Sequence, residues 1–296
     1  MKARLTAAIA LIAIAACATA KPKSTTREER VRMVVSSDVA DVRAKPGKHI
    51  GRYIQDPDQE TQVLQGEPVI VVGRDREWAR VECPQQPEFT HNSKWEGYPG
   101  WIEFSALTDD VSSELKLIPS GGDDMTVRHA ILDQARRHLG TSYLWGGRSL
   151  HNPSDARQVT GVDCSGLVNW SFRQTGRIVP RDAHEQFLKA KPLTWRQLRE
   201  GDLIFLAKAE RPDRVVHVGF YSGGGRMIEA PQSGEAVREI TIEERFGTGL
   251  SDIVSGQAVG DRVIYFGTLL NIPLSLIHIS EPTRLRRISY AVFCLK

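Results

Sequence analysis

Cys164, His217 and Glu229 are the residues of this chain whose types could combine in nucleophilic acyl transfer. A thiol attacks as its thiolate, a nearby imidazole moves the proton, and a third group holds the imidazole in one tautomer. Cys164 lies in Val162-Asp163-Cys164-Ser165-Gly166-Leu167. Leu167, Val168, Ser171 and Phe172 follow at helical spacing and Gly176 stands at a stop position, which predicts a helix opening at Cys164. The positive end of a helix favours a thiolate there. Polar Asp163 and Ser165 on either side argue against a structural cysteine in an apolar hole.

The base and its partner fall on a predicted hairpin. In Val215 to Tyr221, alternation puts Val216, Val218 and Phe220 on one face and His217, Gly219 and Tyr221 on the other. Ser222-Gly223-Gly224-Gly225 is a turn signal. A three-residue loop pairs Tyr221 with Gly225 and sets His217 opposite Glu229. A four-residue loop turns Glu229 to the other face, leaving it a surface carboxylate. Both registers are open at this point.

The elements that must position these residues divide the chain. Over 126–270, Thr126 can cap a helix whose stripe is Val127, Ile131, Ala135 and Leu139, ended by Gly140. His129 and His138 on it read as solvent-side or packing residues. Strands are expected at Asp202–Ala207, Val215–Tyr221, Arg226–Ala230 and Arg262–Phe266. Helices followed by an antiparallel sheet make an α+β domain. Residues 31–112 read as short strands between turn-rich insertions: Val31–Val35, Pro68–Gly73, Glu77–Glu82 and Gly100–Phe104. They suggest a small β-barrel, joined to the second domain by a linker over 113–125. Cys83, before Pro84, reads as a half-buried loop thiol.

The two ends are of another kind. Residues 1–16 join basic Lys2 and Arg4 to an apolar run too short to span a bilayer, and Ile14-Ala15-Ala16-Cys17 resembles a bacterial lipobox. The expectation is a lipoprotein signal peptide, lipidation at Cys17, a tether over 17–30, and an exported, membrane-anchored protein, with Ala18 compatible with the outer membrane of a host that has one. Residues 271–296 follow no core pattern and resemble translated adapter read-through, so they are set apart as a non-native tail. The chain's net charge of +3 comes from +2 in residues 1–17 and +3 in 271–296, leaving −2 between them. Nothing in that balance points to nucleic acid. The cysteines do not form a disulfide framework, the histidines lack zinc-type spacing, and no phosphate loop occurs, so no metal or cofactor is expected.

Three motifs carry a resemblance. Asp163-Cys164-Ser165-Gly166, His217-Val218-Gly219-Phe220-Tyr221 and Tyr143-Leu144-Trp145-Gly146-Gly147 resemble, in order and spacing, the NlpC/P60 cysteine peptidases. The resemblance implies a papain-like catalytic domain that cleaves peptidoglycan stem peptides. It makes Cys164 the nucleophile, His217 the general base and Tyr143 an oxyanion donor beside the Cys164 N–H. The third position, often His in that family, falls on Glu229; a carboxylate can accept the imidazole's far N–H. Asp41-Val42-Arg43 and Gly97-Tyr98-Pro99-Gly100-Trp101-Ile102 resemble a bacterial SH3 domain.

One branch with such N-terminal domains resembles γ-D-glutamyl-L-diamino acid endopeptidases acting on stem peptides with a free L-Ala amine. By that resemblance Glu60, Tyr98, Asp163, Ser165 and Arg181 hold the substrate ends. Glu60 and Asp163 would neutralise the ammonium, and Arg181 would capture a carboxylate. The expected partners are stem peptides or muropeptides and the membrane, with the protein a monomer. Two other readings are a broader endopeptidase anchored by its SH3 domain and a catalytically silent wall-binding lipoprotein.

Overall fold

The computed structural model describes residues 30–48, 56–150 and 159–270. The signal segment, Cys17, the tether up to residue 29 and the 271–296 tail lie outside the described residues.

The first half is one antiparallel sheet of seven strands: β1 (Val31–Val35), β2 (Val39–Arg43), β3 (Gln59–Leu64), β4 (Pro68–Asp75), β5 (Trp78–Glu88), β6 (Glu96–Glu103) and β7 (Leu107–Thr108). Their order is β3-β2-β6-β5-β4-β1-β7. Val63 from one edge and Leu107 from the other share a core with Val35, Val42, Val69, Val81 and Ile102, so the sheet is rolled around its own apolar face. Period-2 alternation selects that face. Cys83 belongs to this core at 1% exposure, contrary to the loop thiol expected. The strand continues through Pro84 because Cys83 pairs with Tyr98, and a bulge carries the pairing on to Pro87.

The second half begins with α1 (Asp124–Arg136), α2 (Cys164–Gln174) and α3 (Ala183–Lys189). Asp123 caps α1, accepting from Thr126 N at 2.8 Å, so Thr126 is inside the helix it was expected to open. Val127, Ile131 and Ala135 are buried as the stripe requires, whereas Leu139 lies past the helix end and is exposed. His138 packs edge-on against Trp170, with ring centroids 4.4 Å apart. Seven strands follow: β8 (Lys191–Leu193), β9 (Leu203–Lys208), β10 (Arg211–Gly223), β11 (Arg226–Glu229), β12 (Arg238–Thr241), β13 (Gln257–Val259) and β14 (Arg262–Thr268), with α4 (Ile242–Phe246) between β12 and β13. The path is β12-β11-β10-β9-β14-β13, and β8 also pairs with β14. Phe172 of α2 stacks on Phe220 of β10, and Leu167, Val168, Val218 and Phe205 fill the layer between helix and sheet. This is the α+β arrangement the sequence predicts.

Polar side chains, mostly buried, join the halves. Arg148 donates through Nη1 and Nη2 to Glu67 at 2.9 and 2.8 Å, and Arg173 Nε lies 2.7 Å from the same carboxylate. Gln62 on β3 accepts from Arg148 N at 3.0 Å and donates to Val159 O at 2.8 Å. Buried charges need such partners.

Candidate active site

The nucleophile's element is built as its sequence demands. Asp163, extended at φ −91°, is the N-cap of α2, and its Oδ1 accepts from Gly166 N at 2.6 Å. Gly176 terminates the helix with φ +76°. Cys164 is therefore the first helical residue, and the orphan N–H groups and positive end of α2 lie at its sulfur. Gly166 allows the loop carrying Tyr143 to press close: a Cβ there would lie 2.1 Å from Gly147 O. That loop is tied to the segment before the cysteine by Leu144 N donating to Val162 O at 3.0 Å.

The hairpin departs from the pairing expected. Phe220 faces Ile228 and Tyr221 faces Met227, with a bulge before Gly223 pairs with Arg226. This register differs by two residues from the three-residue loop, so the side-chain faces are unchanged. Glu229 keeps to the His217 face but stands across from Gly219. His217 reaches it diagonally, with Nε2 2.8 Å from Glu229 Oε2. A second bulge at Val216 breaks the local alternation: Val215 is buried and Val216 exposed, although Val216 was expected to share a face with the buried Val218 and Phe220.

With Nε2 engaged by the carboxylate, Nδ1 is left for the thiol, and Cys164 is near enough to raise the His217 pKa. Burial opposes charge on His217, but the charge and hydrogen bond of Cys164 and those of Glu229 push its pKa up to about 9. Burial likewise opposes charge on Glu229, yet bonding to His217, with Arg245 and Arg238 behind it, pulls its pKa down to about 2. Imidazolium beside carboxylate is the favoured charge state of the His217–Glu229 pair. Tyr143 lies beside Asp163 and Cys164; burial first, then those two charges, raise its pKa and keep it a neutral hydroxyl donor.

The expected substrate-binding residues separate into two groups. Tyr98 and Glu60 come together, with Tyr98 Oη 3.2 Å from Glu60 Oε2 and also 3.2 Å from Asp182 Oδ2. Asp182 was not singled out in the sequence. Although its side chain is 38% exposed, burial by the surrounding protein raises its pKa to about 7; Arg181 opposes this, while Glu185 and Asp163 add to it. Asp163, Ser165 and Arg181 are instead knotted to one another. Arg181 is 1% exposed, and its Nη1 and Nη2 donate to Asp163 Oδ1 and Oδ2 at 3.0 and 2.8 Å. Ser165 Oγ accepts from Nη1 at 2.9 Å, and Thr61 Oγ1 from Nε at 2.7 Å. In this structure the Arg181 fork and the Asp163 carboxylate neutralise each other, and together they brace the start of α2.

Among known proteins, residues 140–249 match the NlpC/P60 family. The chain carries an NlpC/P60 family domain. All of Cys164, His217, Glu229 and Tyr143 fall within the matched span. The chain is 28% identical over 239 residues to a gamma-D-glutamyl-L-lysine dipeptidyl-peptidase of Bacillus subtilis, covering 62% of this chain and 76% of that protein. It is 33% identical over 163 residues to the peptidoglycan endopeptidase RipB of Mycobacterium tuberculosis, covering 54% and 63%. A crystal structure of an NlpC/P60 family protein from Bacillus cereus has the same fold, with TM-score 0.57 and 20% identity over 71% of this chain and 94% of that one. That overlap is wider than the 140–249 span of the family match.

Three residues around the domain's site escaped sequence reasoning: Asp182, Arg238 and Arg245. Asp182 follows Arg181 directly, and its neighbour drew the attention. Arg238 and Arg245 carry no motif. Only the β11–β12 pairing, which sets Arg238 opposite Glu229, brings one of them to the site.

Proposed function

We propose that the chain is a cysteine peptidase that hydrolyses the γ-D-glutamyl–L-diamino acid bond of peptidoglycan stem peptides with a free N-terminal L-Ala. The observation that carries this is His217 bridging Cys164 and Glu229 at the head of α2. The Glu60–Tyr98–Asp182 cluster, contributed by both halves, supports recognition of an ammonium end. The printed activity of the B. subtilis relative supports the bond chosen.

In the reaction, the Cys164 thiolate attacks the γ-carbonyl carbon. The oxyanion is held by the Cys164 N–H and the Tyr143 hydroxyl, in a role worth roughly 10²–10³ in rate per donor. The His217 imidazolium gives its proton to the departing amine of the diamino acid, leaving an acyl thioester on Cys164. Neutral His217 then takes a proton from water, whose oxygen attacks the thioester, and the L-Ala-D-Glu dipeptide leaves as the thiol is restored. Glu229 holds the imidazole tautomer throughout. Glu60 and Asp182 neutralise the L-Ala ammonium, and Tyr98 accepts one of its N–H bonds.

By the same reading the first sheet is an SH3-like module that walls the cleft, and the chain is exported and anchored through Cys17. Incubation with L-Ala-γ-D-Glu-diaminopimelate and its N-acetyl derivative tests the substrate claim. Cleavage of only the free-amine peptide supports it, and equal cleavage of both supports a broader endopeptidase. Cleavage of neither supports a silent wall-binding protein.

A further inference from the structure

We propose that Arg238 and Arg245 are positioning residues that fix the Glu229 carboxylate and act as a counterweight to its hold on the His217 proton. This role presupposes the Cys164–His217–Glu229 line. It adds what makes a glutamate workable where the resembling enzymes often carry a neutral group.

Glu229 ends β11 and is fully buried. His217 and both arginines share its two oxygens. His217 Nε2 lies 2.8 Å from Oε2. Arg238 on β12 donates Nε and Nη2 to Oε1 at 3.1 and 2.8 Å. Arg245 on α4 straddles the carboxylate, its Nε 3.1 Å from Oε2 and 3.0 Å from Oε1. Neither arginine is left to wander. Arg238 Nη1 donates to Glu235 at 2.8 Å, and Gln232 holds Glu235 in turn at 2.6 Å. Arg245 follows a capping box, Thr241 with Glu244, that fixes where α4 begins.

Among the described residues, the charged groups around the His217–Glu229 pair are few. Cys164 faces it from α2, Arg238 from β12 and Arg245 from α4, with Glu235 behind Arg238 and Tyr143 beside the sulfur. Strand β9 offers only Leu206 opposite His217. A carboxylate with no other partner would hold the imidazolium tightly and slow proton delivery to the leaving amine. Two guanidinium groups spread that negative charge and repel the imidazolium. The carboxylate then orients the ring without trapping the proton.

The test is an NMR titration of the His217 ring in the full chain with labelled histidine, the signal assigned with His217→Gln. It needs no substrate. Arg238→Gln and Arg245→Gln are each expected to raise the His217 midpoint by about half a unit or more, as removal of a nearby positive charge requires. Arg245→Lys should return it to the wild-type value. If the peptidase reading holds, the basic limb of kcat/KM moves in step. Unchanged or lowered midpoints in both folded glutamine variants would overturn the role. A raised midpoint in a protein that cleaves no stem peptide would support the role and count against the substrate assignment alone.

Discussion

Glu229 stands across the β10–β11 hairpin from Gly219, and it meets His217 along the diagonal. Direct cross-strand pairs sit about 4.5–5.5 Å apart at Cβ and diagonal ones farther, so the long glutamate and the imidazole together span the gap. Gly219 leaves the passage open. A Cβ on it would come within 2.9 Å of Ile228 O and 3.3 Å of Glu229 Cβ.

Gly219→Ala should therefore impair the site from a position that bears no chemistry. The Ile228 carbonyl is backbone and cannot swing aside, so the strands must part. The expected cost is about 1–3 kcal/mol of stability, as for other overpacked cores. Turnover should fall further than the fraction unfolded explains, because the His217–Glu229 contact lengthens. Thermal denaturation alongside kcat checks both; an alanine variant with wild-type kcat would refute the diagonal contact.

The pH dependence follows from two displaced titrations. Folding lifts His217 from 6.5 to about 9, so the stability it lends is complete below about 6.5 and is lost as pH rises through 9. Glu229 drops from 4.5 to about 2, so its contribution is present above about 4.5 and is lost as pH falls through 2. Loss of the imidazolium also removes the proton donor. We expect kcat/KM to decline above pH 9, together with the melting temperature. A rate profile that keeps rising through pH 10 would contradict a protonated His217.

Substrate affinity should have its own pH signature. Asp182 titrates near 7, whereas a peptide α-amine stays largely charged to about pH 7.7. KM should fall as pH rises from 6 to 7.5, while the pocket gains its charge. Asp182→Asn should abolish that slope and raise KM about tenfold, the scale of one charge-assisted hydrogen bond, with kcat little changed. A KM independent of pH in wild type would remove Asp182 from ammonium recognition.

The junction between the halves is a separate matter of stability. Arg148 and Arg173 converge on Glu67, with side-chain exposures of 0%, 8% and 1%. Glu67→Gln leaves two buried guanidinium groups without their counter-charge, and the expected loss is about 3–5 kcal/mol. Chemical denaturation measures it. A loss below about 1 kcal/mol would mean that water reaches the junction.

How much of this could be read from residues alone depends on how local the cause is. The Cys164 helix was legible because its apolar spacing and Gly176 stop lie within fifteen residues, whereas the Asp163 cap emerged only in the fold. The hairpin was legible only in its faces: bulges at Val216 and before Gly223 answer to packing across the sheet, which alternation does not encode. Arg181 reads as a carboxylate receptor from the resemblance alone, since composition marks it only as a solvated charge. It pairs with Asp163 within the second half, and its bond to Thr61, 120 positions earlier, exists only once the halves meet. Arg238 and Arg245 have surface-type side chains, and only the β11–β12 ladder and α4 turn them onto a buried carboxylate.

The central claim is that the sulfur of Cys164 carries the acyl group. Acid quench of the full chain during turnover of L-Ala-γ-D-Glu-diaminopimelate, followed by peptide mass spectrometry, reads this directly. The account predicts an L-Ala-γ-D-Glu adduct on the peptide containing Cys164, and neither adduct nor cleavage in Cys164→Ala. Cleavage by Cys164→Ala at the wild-type rate, with no adduct in either protein, would contradict it.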